Sequence, residues 1–178
     1  MAPNGWRNSV VEDYLSLARV PNVQCEPIAV GAMLKAIVQE RQPQATARRV
    51  TLYLEDTQTL GHAALHLFTF RRAVLNLRAN ALEAMPNSGH LTLAGQRTAS
   101  HLMLTVQDTG LGMTAEELPR LFTPLYTTKP HGTGLGLYVV REILKAHGGT
   151  VEATSTPGRG AIFTIRLPLV VAGEISTV

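Results

Sequence analysis

The sequence predicts an α+β domain in which helices cover one face of a mostly antiparallel sheet. Three observations carry this. Short strand-like runs with apolar alternation recur in "VTLYLE", "HLTLAG", "HLMLTVQD" and "AIFTIRLP". Helix-period segments interrupt them irregularly, without the strand–helix–strand repetition of a doubly wound parallel sheet. Turn chemistry stands between neighbouring strands, as a sheet built from hairpins requires. At 178 residues, 45% of them apolar, the chain is long enough for one domain with a core of its own.

In order, "SVVEDYLSLARV" spaces Val10, Val11, Tyr14, Leu15 and Ala18 at helical period, and Pro21 stops it. The turn-rich "PNVQCEP" reads as a linker. "VGAMLKAIVQER" is an amphipathic helix with Val30, Met33, Leu34, Ile37 and Val38 on one side. A strand follows with Val50, Leu52 and Leu54 inward, then "DTQTLGHAAL", which reads as irregular. A long helix runs from about Phe68 to Met85, ended by "PNSG". Leu102, Leu104 and Val106 share the inward face of a later strand. Thr114 and Glu117 have capping-box spacing for a helix that Pro119 keeps brief. Another helix spans about Leu137 to Ala146, closed by Gly148 and Gly149. "TVEATS" and "AIFTIRLP" finish the sheet, with Ala161, Phe163, Ile165 and Leu167 alternating.

The formal charge of +3 comes from dispersed Lys and Arg, which argues against a nucleic-acid partner. Cys25 is the single cysteine, so a reducing compartment and a buried, inert thiol are expected. No apolar run approaches about 18 residues and no leader pattern stands at Met1. A soluble, cytoplasmic piece without direct membrane contact is expected, whether or not its parent is membrane-anchored.

Four segments carry chemistry. In "RRAVLNLRANALEAM", Arg72, Asn76, Asn80 and Glu83 fall on one helical stripe opposite Val74, Leu77, Ala81 and Met85. A solvated face explains such a stripe, but two asparagines serve solubility poorly in a helix. Their amide oxygens are hard ligands suited to Mg²⁺. In "VQDTGLGM", Asp108 ends a strand ahead of Gly110 and Gly112. It either accepts a hydrogen bond from a base amine or initiates a turn. "GTGLG" lacks both the spacing and the preceding strand of a dinucleotide fingerprint. What remains is a glycine loop at a helix N-terminus, an anion site by dipole and by free N–H groups, with Lys129, Thr127 and Thr128 nearby. Gly158 and Gly160 mark a turn before the last strand.

Taken in order, these segments resemble the N, G1, F, G2 and G3 boxes of the catalytic ATP-binding domain of sensor histidine kinases, a Bergerat-fold family. The resemblance runs from about Glu26 to Val170, and "NALEAM" and "PLYTTKPHGTGLGL" look most like the nitrogen-regulatory branch. It implies a two-layer α/β sandwich, a mixed five-stranded sheet under three helices, with ATP between two helices beneath a flexible lid. By the same resemblance Asn80 is the Mg²⁺ ligand and Asn76 a polar contact near the phosphates. Asp108 accepts from the adenine amine, Gly110 and Gly112 line the base pocket, and Met113 packs against it. Phe122, Thr127, Thr128, Lys129, Gly132, Thr133, Gly134, Leu135 and Gly136 form the lid, leading into Leu137. Asn76, Asn80 and Lys129 are the implied catalytic set; Glu83 receives no role.

The related gyrase, mismatch-repair and chaperone ATPases carry a water-activating Glu where Asn76 stands. An amide is no base, so Asn76 suits transfer to a histidine over hydrolysis. None of His62, His66, His90, His101, His131 or His147 has the family's phosphoacceptor setting, and His131 and His147 read as surface residues. Residues 1–24 are expected to hold the end of a dimerisation helix and a linker, 25–172 the catalytic domain and 173–178 a tail. The expected partners are a dimerisation domain of the same or a split kinase, carrying the phosphoacceptor outside this chain, and a response-regulator receiver domain. A nucleotide-sensing module without transfer and a hydrolytic ATPase are the alternatives. The family usually has Gly-Asp before the N-box helix; "GHAALHLFTFRR" departs from it and leaves the start of that helix open.

Overall fold

The computed structural model of the protein describes residues 24–40, 42–129 and 132–169. The helix expected over "SVVEDYLSLARV", the tail 173–178 and His131 lie outside the described residues. In chain order the elements are β1 (Glu26–Ala29), α1 (Val30–Glu40), α2 (Gln42–Ala47), β2 (Val50–Glu55), β3 (His62–Leu65) and α3 (Leu67–Ala84). There follow β4 (Gly89–Arg97), β5 (His101–Asp108), a 3₁₀ turn (Leu118–Arg120), α4 (Gly136–Ala146), β6 (Thr150–Ser155) and β7 (Ala161–Pro168). No helix among the described residues is long and apolar enough to cross a membrane.

Alternation builds the sheet. Leu91 and Leu93 of β4, Leu102, Leu104 and Val106 of β5, and Phe163, Ile165 and Leu167 of β7 are buried. Their rows meet in register: Leu93 opposes Val106, Leu104 opposes Ile165 and Val106 opposes Phe163. One face of the five-stranded sheet, ordered β2-β4-β5-β7-β6, is therefore a continuous apolar layer. β2 and β4 run parallel because the chain crosses between them through α3, whereas the other pairs are antiparallel. Phe70 and Leu77 of α3, Leu34 and Ile37 of α1, and Ile143 and Leu144 of α4 are fully buried in the shared core. Each such side chain contributes roughly 1.5–3 kcal/mol on leaving water.

Several elements depart from expectation. The segment read as irregular contains β3, which pairs antiparallel with β1 in a separate two-stranded ribbon. These strands have four residues each, too few for a periodic signal. The short α2 was also not expected. Cys25 is exposed rather than buried, because it precedes the first strand at the edge of the ribbon. What desolvation it has pushes the thiol up, against a hydrogen bond with the His66 backbone, so it gains no thiolate character. The Thr114–Glu117 capping box forms, with reciprocal backbone bonds of 2.7 and 3.3 Å. It opens a single turn at residues 115–117 that runs into the 3₁₀ turn, and Pro119 lacks the donor that would continue an α-helix.

The end of α4 shows how the helices are locked. Gly149 N–H donates to Leu144 O at 2.8 Å and Gly148 N–H to Lys145 O at 2.9 Å, with Gly148 at φ +68°, a Schellman closure. His147, expected at the surface, is only 9% exposed. The closure turns its ring back over the helix, where it stands edge-on to Phe70 at 5.7 Å. Its Nδ1–H donates to Ile143 O at 2.7 Å, and its Nε2 accepts from the His66 N–H at 3.0 Å. His66 in turn caps α3, its Nδ1 accepting from Thr69 N–H. The helix start left open by the missing Gly-Asp is therefore a histidine cap.

Burial holds the His147 imidazole below its ordinary value of 6.5; the Ile143 carbonyl opposes this and nearby His66 adds to it. A depressed value means that the folded state holds the neutral ring. Its contribution is present above about pH 6.5 and is lost as pH falls through the lowered value. Urea unfolding between pH 7.5 and 5 is expected to show stability falling with pH in the parent, and a distinctly shallower fall in His147→Gln.

Candidate functional site

The cleft arises from the two-sidedness of α3. Val74, Leu77, Ala81 and Met85 enter the core. Asn76, Asn80 and Glu83 emerge on the other side and line a cleft of ≈ 610 Å³, within the range of about 300–1,000 Å³ usual for small-molecule sites. Asp108 reaches it by the alternation of β5: it continues the row Leu102, Leu104, Val106 and is 3% exposed. Ala161 and Phe163 of β7, with Leu111 and Met113 of the following loop, make this end of the cleft apolar. Desolvation pushes the Asp108 carboxyl up, partly offset by hydrogen bonds from the backbone of Gly110 and Ala161. The Gly110 N–H reaches Oδ1 at 2.8 Å.

The other end is cationic and rich in donors. Thr127, Thr128, Lys129, Gly132, Thr133 and Gly134 line it, with Gly136 and Leu137 at the start of α4. Among the described residues no side chain caps α4, so its first N–H groups and dipole are open to an anion. Asn76 Nδ2–H donates to Gly136 O at 3.2 Å, tying α3 to the start of α4. Lys129 Nζ–H donates to Asn80 Oδ1 at 3.1 Å and also to Glu83 Oε2. The Lys129–Glu83 pair is largely exposed, with side chains 41% and 48% accessible, so it is worth only about 0–1 kcal/mol.

Three residues that the resemblance assigned to the nucleotide site stand outside the lining: Gly110, Phe122 and Leu135. Gly110 packs against the end of α3, where a Cβ would lie 2.5 Å from Ala84 O. Phe122 is half-buried against the core. Leu135 is the residue before α4 and is bonded through its N–H to Thr133 Oγ1. Conversely, Ala79, Ala84, Leu111, Glu117, Leu121 and Tyr126 line the cleft without having been assigned to the site. Tyr126 carries Arg120 over its ring at 4.4 Å. Ala161 and Phe163 were legible only as an alternating strand; their register opposite the end of β5 is what brings them here.

The donor set suits a divalent cation. An amide oxygen and a carboxylate oxygen already converge on one ammonium. Among the described residues no group of three or more His, Cys, Asp or Glu could hold a metal alone. A hard cation here would therefore share its coordination with ligand phosphates, the usual habit of Mg²⁺.

The fold is thus a sheet layered with helices, and its cleft joins a buried carboxylate to the start of α4. The family model described as "Histidine kinase-, DNA gyrase B-, and HSP90-like ATPase" matches residues 67–171 of the 178, and the chain belongs to that family. It is 35% identical over 163 residues to the sensor histidine kinase ZraS of Klebsiella oxytoca, covering 91% of this chain and 35% of that protein. It is 30% identical over 162 residues to sporulation kinase E of Bacillus subtilis, covering 90% and 22%. The chain thus spans about a third or less of the length of these curated relatives. Among solved structures, the catalytic domain of histidine kinase ThkA superposes with a TM-score of 0.75 at 21% identity, covering 83% of this chain and 97% of that one. Full-length ShkA in complex with AMPPNP gives 0.79 at 23%, covering 93% and 35%. These likenesses show the fold.

One close approach supports the Asp108 end. Gly160, at φ +78°, lies where a Cβ would strike the Asp108 carbonyl, whereas Gly158, at φ +75°, has nothing within 4 Å. Gly158→Ala is expected to lose about 1 kcal/mol from the left-handed backbone alone. Gly160→Ala should lose clearly more, read as the difference between their urea midpoints.

Proposed function

We propose that this chain is the ATP-binding catalytic part of a sensor histidine kinase, which transfers the γ-phosphoryl group of ATP to a histidine on a dimerisation domain. The observation that carries the reading is a single cleft with a buried Asp108 at its apolar end and Lys129, the threonine hydroxyls and the start of α4 at the other. The first end suits a purine with an exocyclic amine, which Asp108 accepts. The second suits a polyphosphate, held by backbone N–H groups and an ammonium.

Magnesium, when bound, would draw negative charge from the transferring phosphoryl group, and Asn80 is the residue to hold it. Asn76 occupies the place of a water-activating carboxylate, and its amide is engaged with Gly136 O. The chain therefore supplies positioning and charge stabilisation without a base for water. An incoming imidazole needs none: its lone pair forms the N–P bond as the bond from the γ-phosphorus to the bridging oxygen breaks and ADP leaves. The acceptor stands on a partner domain, since none of this chain's six histidines has the expected setting. A response-regulator receiver domain then takes the group onward. A cytoplasmic location and a role for Thr127, Thr128, Gly132, Thr133 and Gly134 as the phosphate lid complete the reading.

Mixing the protein with Mg·ATP and a separately supplied dimerisation domain of a related kinase should give acid-labile phosphohistidine on that domain, with little hydrolysis by the chain alone. Fast hydrolysis without transfer would replace this reading by an ATPase. Asp108→Asn should weaken ATP binding by about thirtyfold or more, near 2 kcal/mol for a misdirected buried hydrogen bond. The same variant should lack one pH dependence of the parent's urea midpoint. Burial raises the Asp108 carboxyl, so the parent's stability drops as pH rises through that raised value, and an amide has no such loss. Lost binding in a variant that still unfolds cooperatively separates recognition from folding.

A further inference from the structure

We propose that Asn80 Oδ1 and the Glu83 carboxylate form a two-oxygen cation seat at the phosphate end of the cleft. The Lys129 ammonium fills it without nucleotide, and the divalent cation that accompanies a nucleotide fills it on binding. The proposal rests on the nucleotide reading above and goes beyond it in giving Glu83 a part and Lys129 two positions.

The geometry is a convergence. Asn80 and Glu83 stand three residues apart on α3, and both direct an oxygen at Lys129 Nζ, the amide at 3.1 Å. Oxygens brought together on one cation are placed to hold another, and an amide with a carboxylate is a hard pair suited to Mg²⁺ or Mn²⁺. Charge gives the second reason. A carboxylate beside the place of a polyphosphate repels it unless a cation stands between them. Three carboxylates line the cleft, those of Glu83, Asp108 and Glu117. Asp108 is at the far, apolar end, and Glu117 is engaged by the Thr114 N–H. Glu83 alone of the three is bonded to a cation.

The occupant is easily displaced. The Lys129–Glu83 pair is exposed to solvent and screened, so a divalent ion bringing phosphates with it outcompetes a single ammonium. The Lys129 backbone is held separately: its N–H donates to Thr127 Oγ1 at 3.1 Å and its carbonyl accepts from Gly132 N–H at 3.1 Å. Its four-carbon side chain can therefore leave the seat for the phosphates while the Lys129 backbone keeps these two bonds. Asn80 and Glu83 exchange one cation for another, and the displaced ammonium becomes a phosphate ligand.

Two measurements on the full chain test this. Titration with Mn²⁺ alone, followed by electron paramagnetic resonance, should show Lys129→Met binding the ion about tenfold more tightly than the parent, with Lys129→Met/Glu83→Gln losing that gain. Calorimetry with ADP should show Mg²⁺ tightening the parent's affinity, and Glu83→Gln losing about tenfold of that Mg²⁺-dependent gain while metal-free ADP binding holds or rises. A Glu83→Gln variant that keeps the whole Mg²⁺ effect, or a Lys129→Met variant that takes up Mn²⁺ no better than the parent, overturns the seat. A parent that binds no ADP under either condition overturns the nucleotide reading, and the Mn²⁺ titration still decides the seat.

Discussion

A carboxylate at the end of an apolar row is the constraint on which this molecule is organised. Asp108 follows Leu102, Leu104 and Val106 onto the buried face of the sheet, where an ionised group is costly without donors. The surroundings supply them through backbone. Gly110 turns back to donate, and the tight β6–β7 connection brings Ala161 and Gly160 against the same residue. That connection is itself fastened: Ser155 Oγ accepts from Met113 N–H at 2.8 Å and donates to Gly160 O at 2.6 Å, while Gly158 N–H reaches Leu111 O at 2.7 Å. The glycines in these loops thus serve a packing purpose before any ligand is considered.

The second organising feature is a helix with two faces. One side of α3 belongs to the core, so its rotation about its axis is fixed by Val74, Leu77 and Ala81. With that rotation fixed, Asn76, Asn80 and Glu83 have nowhere to point but the cleft. Core packing and site geometry are one constraint here, and a volume change beneath α3 would be felt at the amide of Asn80.

Much of this was legible in the residues, and the exceptions have physical causes. Alternation in "HLMLTVQD" and "AIFTIRLP" announced both strands and their inward rows, because a period of two sustained over 8 residues fixes which side chains face the core. The polar stripe of α3 was visible for the same reason at helical period. The ribbon of β1 and β3 was hidden: its strands are too short to show a period and depend on each other for partners. His147 was misplaced because burial of a helix-ending histidine is decided by what lies across from it, here the His66 N–H and Phe70. The cap on α3 escaped notice because His66 is outside the usual set of Ser, Thr, Asp and Asn. In the cleft, motif spacing singled out Gly110, Phe122 and Leu135, whereas the lining is set by which atoms face inward. Glu83 drew no assignment because its partner is distant in sequence and no helical pattern reports a contact across a cavity.

The contacts between α3 and α4 have a mechanical consequence. The two helices run antiparallel and are joined by two polar rungs, His66 to His147 at one end and Asn76 to Gly136 at the other. The rungs are ten residues apart on α3 and eleven on α4, spans of about 15 and 16.5 Å. Matched spacings of this kind resist shear: a slip by one helical turn, about 5.4 Å, would break both rungs at once. The helix pair therefore behaves as a rigid frame. Beyond the second rung Asn80 and Glu83 stand on the last two turns of α3, about one and two helical turns from a fixed point of that frame.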